Sequence, residues 1–291
     1  MRVLILGASG MLGHVVVQTF AQEPDRYEVF AATRSLDLRT RFPELSHVQS
    51  VTGIDAEKPD ELLNLFTRIR PDCVINCIGL VKQKEDANDP LLALPINALL
   101  PHRLARLSSL VGARLVHIST DCVFQGTRGG GYTEGDVSDA TDLYGKSKYL
   151  GEINGGNAIT LRTSMVGHEL QGRQGLVEWF LSQPQRVSGY RKSIFSGLPT
   201  VELSRVIRDY VLPRQDLRGV FHVASDPISK FDLLSLVAKT YGRNIVVEPD
   251  DAVSINRSLD GSRFRIATGY KAPPWPELIA QMHAHYKSGT R

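Results

Sequence analysis

The sequence contains few cysteines and no long hydrophobic run. Cysteine occurs at only three of the 291 positions, an odd number in a long chain, which argues against a disulfide framework. No apolar run approaches the roughly 18 residues of a membrane span. Met1 leads directly into an apolar segment and leaves no room for a signal peptide. We therefore expect a cytoplasmic protein without a membrane-spanning helix.

An excess of one charge is also missing. The net charge of +3 results from 34 basic and 31 acidic residues that are interspersed along the chain. A nucleic-acid-binding surface or a polybasic membrane surface would show as a basic block, so neither nucleic acid nor a membrane is an expected partner. Cys73 and Cys77 share one apolar run, but no histidine or further cysteine follows at zinc-like spacing. The sequence therefore predicts no metal site.

The first 165 residues alternate short apolar runs with amphipathic helical patterns, and repeated βα units of this kind predict a doubly wound parallel sheet of the α/β class. After Val166 the alternation breaks down. We predict a Rossmann domain over residues 1–165 and about 200–225, and a smaller, discontinuous C-terminal substrate-binding lobe over about 166–199 and 226–291. The apolar runs of the first part are residues 2–6, 27–33, 48–51, 73–79, 115–120 and 159–166.

Three glycines follow the first apolar run and predict a strand, a tight turn and a helix start. Glycine lets the backbone turn sharply and approach a pyrophosphate, and the free N–H groups at a helix start bind phosphates. Glycines also mark ordinary turns, but the apolar segments on both sides favour a dinucleotide site. The residues predicted to bind the cofactor here are Gly7, Ser9, Gly10, Met11, Leu12 and Gly13.

The residue at the end of the second predicted strand indicates which cofactor fits. An acid there would bond the ribose 2′-hydroxyl of NADH, whereas an arginine favours the 2′-phosphate of NADPH. Arg34 follows this strand, and the first acid is Asp37. We therefore predict NADPH, with NADH as the alternative. Arg34 as an exposed loop cation is the other interpretation.

Tyr144 and Lys148 are four residues apart in Tyr144-Gly145-Lys146-Ser147-Lys148. In a helix, side chains at this spacing share one face. A phenol has a reference pKa of about 10, and a nearby cation stabilises its ionised form, so Lys148 is expected to lower the pKa of Tyr144. With the glycine turn, the pair indicates hydride chemistry on a carbonyl group. A solvated tyrosine beside a surface lysine is the alternative.

The segment Ser119-Thr120-Asp121-Cys122-Val123-Phe124-Gln125-Gly126 ends a predicted strand 24 residues before Tyr144, counted from Thr120. With the glycines and the Y-x-x-x-K pattern, it resembles the extended short-chain dehydrogenase/reductase family. Within that family it resembles the dTDP-4-dehydrorhamnose reductase group, which shows S-T-D-x-V-F-x-G at this position. Further matches occur in the family's order at Asn76-Cys77-Ile78-Gly79, Ile96-Asn97-Ala98, Leu161-Arg162-Thr163-Ser164, Gly197-Leu198-Pro199-Thr200 and Arg257-Ser258-Leu259-Asp260.

The resemblance implies NADPH-dependent reduction of the 4-keto group of a nucleotide-activated deoxysugar, in the synthesis of surface polysaccharide precursors. It implies that Thr120 hydrogen-bonds the keto oxygen, that Tyr144 supplies the proton and that Lys148 orients the nicotinamide ribose. Negative charge grows on the oxygen as hydride arrives, and a hydroxyl and a proton donor are suited to neutralise it. The resemblance also implies a homodimer.

Other cofactor contacts follow from the same resemblance. Asp55 matches the position that bonds the adenine amino group, although it could equally cap the helix that begins near Lys58. Asn97 matches a residue that supports the active-site helix and a bound water, with a purely structural asparagine as the alternative. The residues implied to line the adenosine and the ribose are Cys77, Ile78 and Gly79.

The sequence departs from the rhamnose-forming reductases on the substrate side. Met165 stands where they carry Trp after Thr-Ser, and a flexible thioether replaces ring stacking. The segment from Gly79 to Gln83 also differs, so Lys82 or Gln83 could face the substrate, with a solvated loop as the alternative. Arg257 is a candidate partner for the nucleotide diphosphate, because a guanidinium suits phosphate. A related 4-keto sugar, including an N-acetylated UDP-linked one, fits equally well.

Three other functions are weighed against the reductase. A sugar-nucleotide 4,6-dehydratase would carry an acid where this chain has Cys122. An epimerase of the same family usually retains NAD and favours an acid at the position of Arg34. A non-catalytic nucleotide-binding regulatory subunit would not need Thr120, Tyr144 and Lys148 together. We therefore predict an enzyme, with the epimerase and the regulatory subunit as alternatives.

Overall fold

The computed structural model describes residues 1–80 and 88–289 of the chain. The strands within these ranges are, in chain order, β1 (Arg2–Leu6), β2 (Glu28–Ala32), β3 (Gln49–Val51), β4 (Cys73–Asn76), β5 (Arg114–Thr120), β6 (Ala158–Thr163), β7 (Met165–Val166), β8 (Arg186–Tyr190), β9 (Ser193–Phe195), β10 (Leu198–Pro199), β11 (Gly219–His222), β12 (Ile228–Ser229), β13 (Val246–Asp250) and β14 (Ile255–Asn256).

Seven of the strands described form one sheet, in the order β3-β2-β1-β4-β5-β6-β11. Every neighbouring pair in this sheet is parallel. The chain begins at β1 in the middle, winds outward to β3 and then crosses back to β4, so the winding direction reverses between β1 and β4. Ligands of open α/β sheets bind at the carboxyl ends of the strands at such a point. The doubly wound Rossmann fold predicted from the sequence is confirmed.

Helices cover the sheet, and in the described part of the chain no helix is long and apolar enough to cross a membrane. Short 3₁₀ turns lie at Pro43–Leu45 and Asp121–Val123, and π-helical turns lie at Leu94–Leu99 and Ile207–Val211. The α-helices described are α1 (Gly13–Ala21), α2 (Leu38–Arg41), α3 (Pro59–Ile69), α4 (Pro90–Ala93), α5 (Leu100–Leu110), α6 (Leu143–Leu150), α7 (Leu176–Leu181), α8 (Thr200–Val206), α9 (Lys230–Thr240), α10 (Ser262–Thr268) and α11 (Trp275–Gly289).

β1 illustrates why apolar residues dominate the buried part of a main-sheet strand. Val3 and Ile5 belong to one buried cluster, and Leu4 and Leu6 belong to another. Successive side chains of a strand point to opposite faces of its sheet, so the two clusters lie on the two faces. A strand buried on both faces needs no polar side, and the short apolar runs of the sequence therefore identify these strands.

The helical segment over residues 90–110 is built in three parts. The carboxylate of Asp89 accepts the Leu91 N–H at 2.8 Å and caps α4. The π-helical turn Leu94–Leu99 contains Pro95 and separates α4 from α5. Proline has no N–H to donate and its ring displaces the preceding carbonyl, so the regular α-helical bonding is interrupted there. The π-helical turn carries Asn97.

Beyond β6 the chain is built from short strands and helices. β8 pairs with β13, and β9 pairs with β12 and β14. The apolar run 159–166 is divided, because β6 ends at Thr163 and Met165 of β7 leaves the main sheet to pair with Leu198 of β10. β11 then returns to the main sheet beside β6.

The main sheet and the later segments share a core. One buried apolar cluster includes Val3 of β1, Val201 of α8 and Ile279 of α11. α8 packs against α1, and α11 packs against α8 and α9. The division into a Rossmann domain and a substrate-binding lobe therefore stays a prediction about function and is not marked by separate hydrophobic cores.

Candidate active site

The turn after β1 is tight at its base and accessible at its tip. Gly7 has a φ of 73°, which glycine adopts without strain, and its carbonyl accepts the Gly10 N–H at 2.9 Å. A Cβ atom at Gly13 would lie 2.1 Å from the same carbonyl oxygen. Ser9 and Met11 are partly exposed and Gly10 is exposed. The turn therefore has no room for larger residues at its base, and its tip is open to a phosphate group.

Leu12 and His14 support this turn from inside the protein. Leu12 is buried immediately before α1. Nδ1 of His14 lies 2.8 Å from the Gly10 carbonyl oxygen, and burial lowers the pKa of His14 to about 4. The ring is therefore neutral at neutral pH, and Nδ1 carries the proton that is donated to the carbonyl.

Arg34 follows β2 and is exposed. The first acid after the strand, Asp37, is already engaged, because its carboxylate accepts the Arg39 N–H at 3.0 Å and pairs with the Arg39 guanidinium at 2.7 Å. The hydrogen bonds from Arg39 hold the pKa of Asp37 well below its usual range. A carboxylate paired in this way is a poor acceptor for a ribose hydroxyl, which leaves Arg34 as the group that faces solvent at this strand end.

Asp55 lies after β3 and shapes the turn that precedes α3. Its carboxylate accepts the Glu57 N–H at 3.0 Å, and its own N–H donates to the Glu61 carboxylate at 2.7 Å. Lys58 occupies the cap position of α3, so the alternative in which Asp55 caps this helix is wrong. The contact of Asp55 with adenine stays a prediction.

The segment after β4 packs against the glycine turn. A Cβ atom at Gly7 would lie 2.9 Å from Cγ1 of Ile78 and 3.0 Å from its nitrogen. The side chain of Asn76 accepts the Ile78 N–H at 3.1 Å and fixes the bend. Ile78 therefore borders the glycine turn, and its predicted contact with the adenosine stays a prediction.

Two neighbours of Ile78 complete this segment. Burial raises the pKa of the Cys77 thiol to about 12, so the sulfur stays protonated. Among the described residues, no cluster of His, Cys, Asp and Glu would hold a metal ion. A Cβ atom at Gly79 would lie 3.6 Å from Nζ of Lys148. The segment thus extends from the glycine turn to Lys148, and its contact with a nucleotide stays a prediction.

Thr120 ends β5 and caps the 3₁₀ turn Asp121–Val123. Its hydroxyl oxygen accepts the Cys122 N–H at 3.1 Å, and its O–H donates to the Asp121 carboxylate at 3.2 Å. Both hydrogen bonds are made with the two residues that follow Thr120, and they hold its hydroxyl at the carboxyl end of β5.

α6 carries Tyr144 and Lys148, as predicted. Its cap residue Asp142 accepts the Gly145 N–H at 2.8 Å. A Cβ atom at Gly145 would lie 2.3 Å from the carbonyl oxygen of Cys122, so glycine lets α6 press against the turn that follows Thr120. The resulting packing brings the Tyr144 phenol close enough to the Thr120 hydroxyl for a hydrogen bond.

The pKa of the Tyr144 phenol is set mainly by burial, which raises it above the usual value, although part of the side chain is exposed. Cys122 and the nearby carboxylates act in the same direction, and the hydrogen bond with Thr120 acts against them. The expectation that Lys148 lowers this pKa is therefore wrong, because Lys148 is not among the groups that set it. Tyr144 is a protonated acid at neutral pH.

Lys148 is held by the backbone of β5. Its ammonium donates to the Ile118 carbonyl at 2.8 Å, and only 5% of the residue is exposed. Burial lowers the pKa of Lys148 to about 8, and Glu152 acts in the opposite direction. The ammonium therefore stays charged at neutral pH, with Gly79 beside it.

The three predicted substrate residues have different outcomes. Lys82 lies outside the described residues. Met165 is partly buried against the main core, and its backbone pairs with Leu198. Arg257 donates from Nε to the Phe124 carbonyl at 2.7 Å, and its charge acts on Asp121. Substrate contact by any of them stays a prediction.

Lys230 was missed by the sequence analysis. It is the first residue of α9, and its ammonium lies 3.8 Å from the centroid of the Phe195 ring. Its charge interacts with Asp121 and Cys122, directly after Thr120. The serine cap before it predicts a helix start, but no spacing links it to Thr120, which lies 110 residues earlier.

A separate cavity of about 820 Å³ lies in the C-terminal part of the protein. Its walls come from the ends of α7 and α9 and from α11, and include Tyr241, Arg243 and Tyr286. The predicted site residues in the described ranges do not line it. The Thr120 turn and α6 therefore form the site on which the sequence motifs and the geometry agree.

The family model described as RmlD substrate binding domain matches residues 1–288 of the chain. The chain is also similar to curated proteins over most of its length. Methionine adenosyltransferase 2 subunit beta from Mus musculus is 32% identical over 308 residues, which cover 96% of this chain and 88% of that protein. dTDP-4-dehydrorhamnose reductase from Aggregatibacter actinomycetemcomitans is 30% identical over 309 residues, which cover 98% and 99%.

The fold also matches solved structures. The crystal structure of dTDP-4-dehydrorhamnose reductase from Bacillus anthracis, in complex with NADP, aligns with a TM-score of 0.80. The alignment covers 98% of this chain and 99% of that chain at 23% sequence identity. At this identity the likeness shows the fold alone.

Proposed function

The chain belongs to the RmlD substrate binding domain family, and we propose that it is an NADPH-dependent reductase of the 4-keto group of a nucleotide-activated deoxysugar. It is an NAD(P)-dependent oxidoreductase of the extended short-chain dehydrogenase/reductase type, and it acts in the synthesis of surface polysaccharide precursors. One observation carries this proposal. The acid Tyr144 lies against the hydroxyl of Thr120 at the carboxyl end of β5, with Lys148 one helical turn further along α6.

The residues around the glycine turn fit NADPH. The base of the turn excludes side chains at Gly7 and Gly13, and its tip is accessible for a pyrophosphate. Arg34 offers a cation for a 2′-phosphate, whereas the carboxylate of Asp37 is paired with Arg39. When bound, the cofactor supplies the hydride. NADH remains the alternative cofactor.

The side chains of α6 and β5 supply the proton and the charge stabilisation. Tyr144 is protonated at neutral pH and can give its proton to the oxygen on which charge develops, which is typically worth about 10²–10⁴-fold in rate. The Thr120 hydroxyl can rotate its proton from Asp121 towards the same oxygen. The Lys148 ammonium, beside Gly79, orients the hydroxyls of the nicotinamide ribose.

The substrate is a 4-keto sugar linked to dTDP or UDP. The names of the relatives favour a deoxysugar, since one of them is a dTDP-4-dehydrorhamnose reductase. Met165 is partly buried in β7 and offers a flexible thioether in place of an aromatic ring. A flexible side chain at this place accommodates other substituents on the sugar. Arg257 is the proposed partner of the diphosphate. Lys82 remains a candidate substrate residue on sequence grounds.

A second function is favoured by one specific observation. The chain is 32% identical to methionine adenosyltransferase 2 subunit beta over 96% of its length, which supports a nucleotide-binding regulatory subunit. The same family therefore includes a protein named as a subunit of another enzyme. The reductase stays the better proposal, because Thr120, Tyr144 and Lys148 occur together and lie close to one another at the carboxyl end of β5.

One experiment separates the two functions. The purified protein is mixed with NADPH and a panel of 4-keto sugar nucleotides linked to dTDP or UDP, and the absorbance of the reduced cofactor is followed. A reductase turns over at least one of them, and Tyr144→Phe lowers kcat by about 10²-fold or more. Tyr149→Phe, an exposed tyrosine on the same helix, is the matched control. Cofactor binding without turnover across the panel would favour the regulatory subunit.

Two related activities are distinguished by their products. A 4,6-dehydratase is disfavoured, because Cys122 replaces the acid that such relatives carry. An epimerase would retain its cofactor through a full cycle, so NADPH absorbance would not change while the sugar configuration does. Product analysis by NMR after the NADPH assay therefore separates reduction from epimerisation.

We further propose a homodimer that acts in the cytoplasm. No disulfide bond joins Cys73, Cys77 and Cys122, as is usual in a reducing compartment. α4 and α6 pack against each other and carry the exposed residues Leu91 and Leu150. Sedimentation of the wild type and of Leu150→Glu tests the dimer, and Ile266→Glu on α10 is the control. A monomeric wild type would contradict this proposal.

A further inference from the structure

Lys230 and Arg257 direct two positive charges at the turn that follows Thr120. Lys230 begins α9, where the Ser229 cap accepts the Asp232 N–H at 3.0 Å and fixes the helix start. Both cations act electrostatically on the buried carboxylate of Asp121, and they act on each other. Two separate parts of the chain, about 30 residues apart in sequence, therefore meet at the same point of the active site.

The ammonium of Lys230 has donors to spare. It lies over the face of the Phe195 ring, 3.8 Å from the centroid, and this cation–π contact uses none of its N–H groups in a conventional hydrogen bond. In the described ranges no carboxylate lies within ion-pair distance of it. The side chain is partly buried, and burial lowers the pKa of Lys230. A partly desolvated cation without an acid partner destabilises a fold, so its presence beside catalytic residues indicates a ligand.

Arg257 is placed to share that ligand. Its Nε donates to the Phe124 carbonyl at 2.7 Å, which anchors the guanidinium and orients its plane. Its two terminal nitrogens make no ion pair with any acid in the part of the chain that the structure describes. An anchored guanidinium with free terminal nitrogens is suited to two-point contact with a phosphate.

The charges of Lys230, Arg257 and Asp121 together favour an anionic ligand. Lys230 and Arg257 together carry two positive charges, and Asp121 contributes at most one negative charge. Asp121 already accepts the Thr120 O–H at 3.2 Å, so part of its capacity to accept hydrogen bonds is used. The excess is positive. A neutral sugar hydroxyl would leave it uncompensated, whereas a diphosphate would neutralise it.

We propose that Lys230 and Arg257 together bind the diphosphate of the substrate, and that Lys230 fixes its position relative to Thr120. This inference rests on the proposed function, because the site lies beside the proposed catalytic residues. It assigns to Lys230 a positioning role that the sequence did not reveal. The enzyme then recognises the diphosphate of the substrate by its negative charge.

Binding of UDP and dTDP to the full-length protein, measured by calorimetry with NADP⁺ present, tests this inference. Lys230→Met keeps the apolar stem over Phe195 and removes the charge. It should weaken the binding of both diphosphates by about 10–100-fold, the usual effect of one charge-assisted hydrogen bond. Lys230→Arg should restore most of the affinity. Lys239→Met, an exposed lysine on the same helix, is the control.

A second measurement distinguishes binding from structure. Removal of a partly buried cation without an acid partner should leave the Tm of Lys230→Met equal to or above that of the wild type. A lowered Tm with unchanged diphosphate affinity would overturn the proposal and make Lys230 structural. Unchanged affinity for UDP with weaker binding of the whole sugar nucleotide would also overturn it, since Lys230 would then contact the sugar.

The outcome is separable from that of the proposed reductase activity. Diphosphate binding that depends on Lys230, in a protein that reduces no sugar of the panel, would support this site and contradict the reductase. Turnover by the wild type, with a KM and a diphosphate affinity that Lys230→Met leaves unchanged, would support the reductase and contradict this site.

Discussion

Asn97 donates a hydrogen bond of 3.2 Å from its side-chain amide to the hydroxyl of Ser147, the residue before Lys148. Its amide oxygen accepts the Leu80 N–H at 3.0 Å. Ser147 in turn donates to the Tyr144 carbonyl at 2.9 Å. One buried amide in a π-helical turn thus joins the segment after β4 to the helix that carries the proposed acid. The sequence-based interpretation of Asn97 as a support for this helix agrees with these contacts.

Asn97→Ala removes both bonds and leaves the Leu80 N–H without its acceptor. We expect a loss of about 1–3 kcal/mol in the free energy of unfolding and a clear fall in kcat, because α6 loses its support. Denaturant unfolding and steady-state kinetics measure the two effects. Asn157→Ala, which removes a bond to Ala113 away from the site, is the control for stability alone. An unchanged kcat in Asn97→Ala would make the residue purely structural.

Arg34→Ala tests the choice of cofactor. If the guanidinium contacts the 2′-phosphate, the KM for NADPH should rise about 10–100-fold while the KM for NADH stays the same. Arg41→Ala, another exposed arginine near the same strand end, is the matched variant and should change neither value. An equal change in the KM values for NADPH and NADH in Arg34→Ala would show that this residue does not recognise the 2′-phosphate.

Gly145→Ala tests the close approach between α6 and the turn after Thr120. The added methyl group would lie 2.3 Å from the Cys122 carbonyl oxygen, so the helix must move. A displacement near 1 Å at catalytic groups can lower a rate by about 10²-fold, and we expect kcat to fall by that order. Gly135→Ala, where the nearest atom lies 3.9 Å away, should leave kcat unchanged. Full activity in Gly145→Ala would mean that this packing does not position Tyr144.

The pH dependence of stability follows from two buried histidines. Burial lowers the pKa values of His14 and His222 to about 4, from 6.5. The unfolded chain therefore binds these protons more tightly than the folded protein. The contribution to stability is complete above pH 6.5 and is lost as the pH falls from 6.5 towards 4, by roughly 2 kcal/mol for each histidine at pH 5.

Urea unfolding at pH 7.5 and pH 5 measures this loss. His14→Gln should reduce the difference between the two pH values by about 2 kcal/mol. His102→Gln changes an exposed histidine and serves as the control. A difference between the two pH values that does not respond to His14→Gln would show that other groups control the acid sensitivity.

The strands and the proposed catalytic residues could be predicted because their signals are local. The residues of β1 from Val3 to Leu6 are apolar because both faces of this strand are buried. The glycines after it are required by contacts as short as the one between Gly13 and the Gly7 carbonyl. Tyr144 and Lys148 share a helix, so their spacing alone places them on one face. The shape of the glycine turn and the helical nature of α6 therefore follow from the residues themselves.

The features that the sequence did not reveal depend on tertiary packing. Lys230 meets the Thr120 turn because α9 begins against it, and no sequence spacing records such a contact. The pKa of Tyr144 is raised mainly because the phenol is buried in the folded protein, and the nearby carboxylates act in the same direction. The position of Lys148 four residues away in the sequence does not reveal this burial. Apolar residues stand at both ends of the run 159–166, so the sequence does not show that the run is divided. Only the pairing of Met165 with Leu198 reveals the division.

The return of β11 to the main sheet constrains how the chain can be divided. β11 pairs with β6 through four residue pairs and forms the outer edge of the sheet on that side. A fragment ending near residue 165 would leave the N–H and C=O groups along that side of β6 without partners. Unpaired strand edges recruit other chains, so such a fragment would tend to aggregate. We therefore expect that a fragment ending near residue 165 does not fold on its own, and that the main sheet is complete only when the chain extends to residue 222.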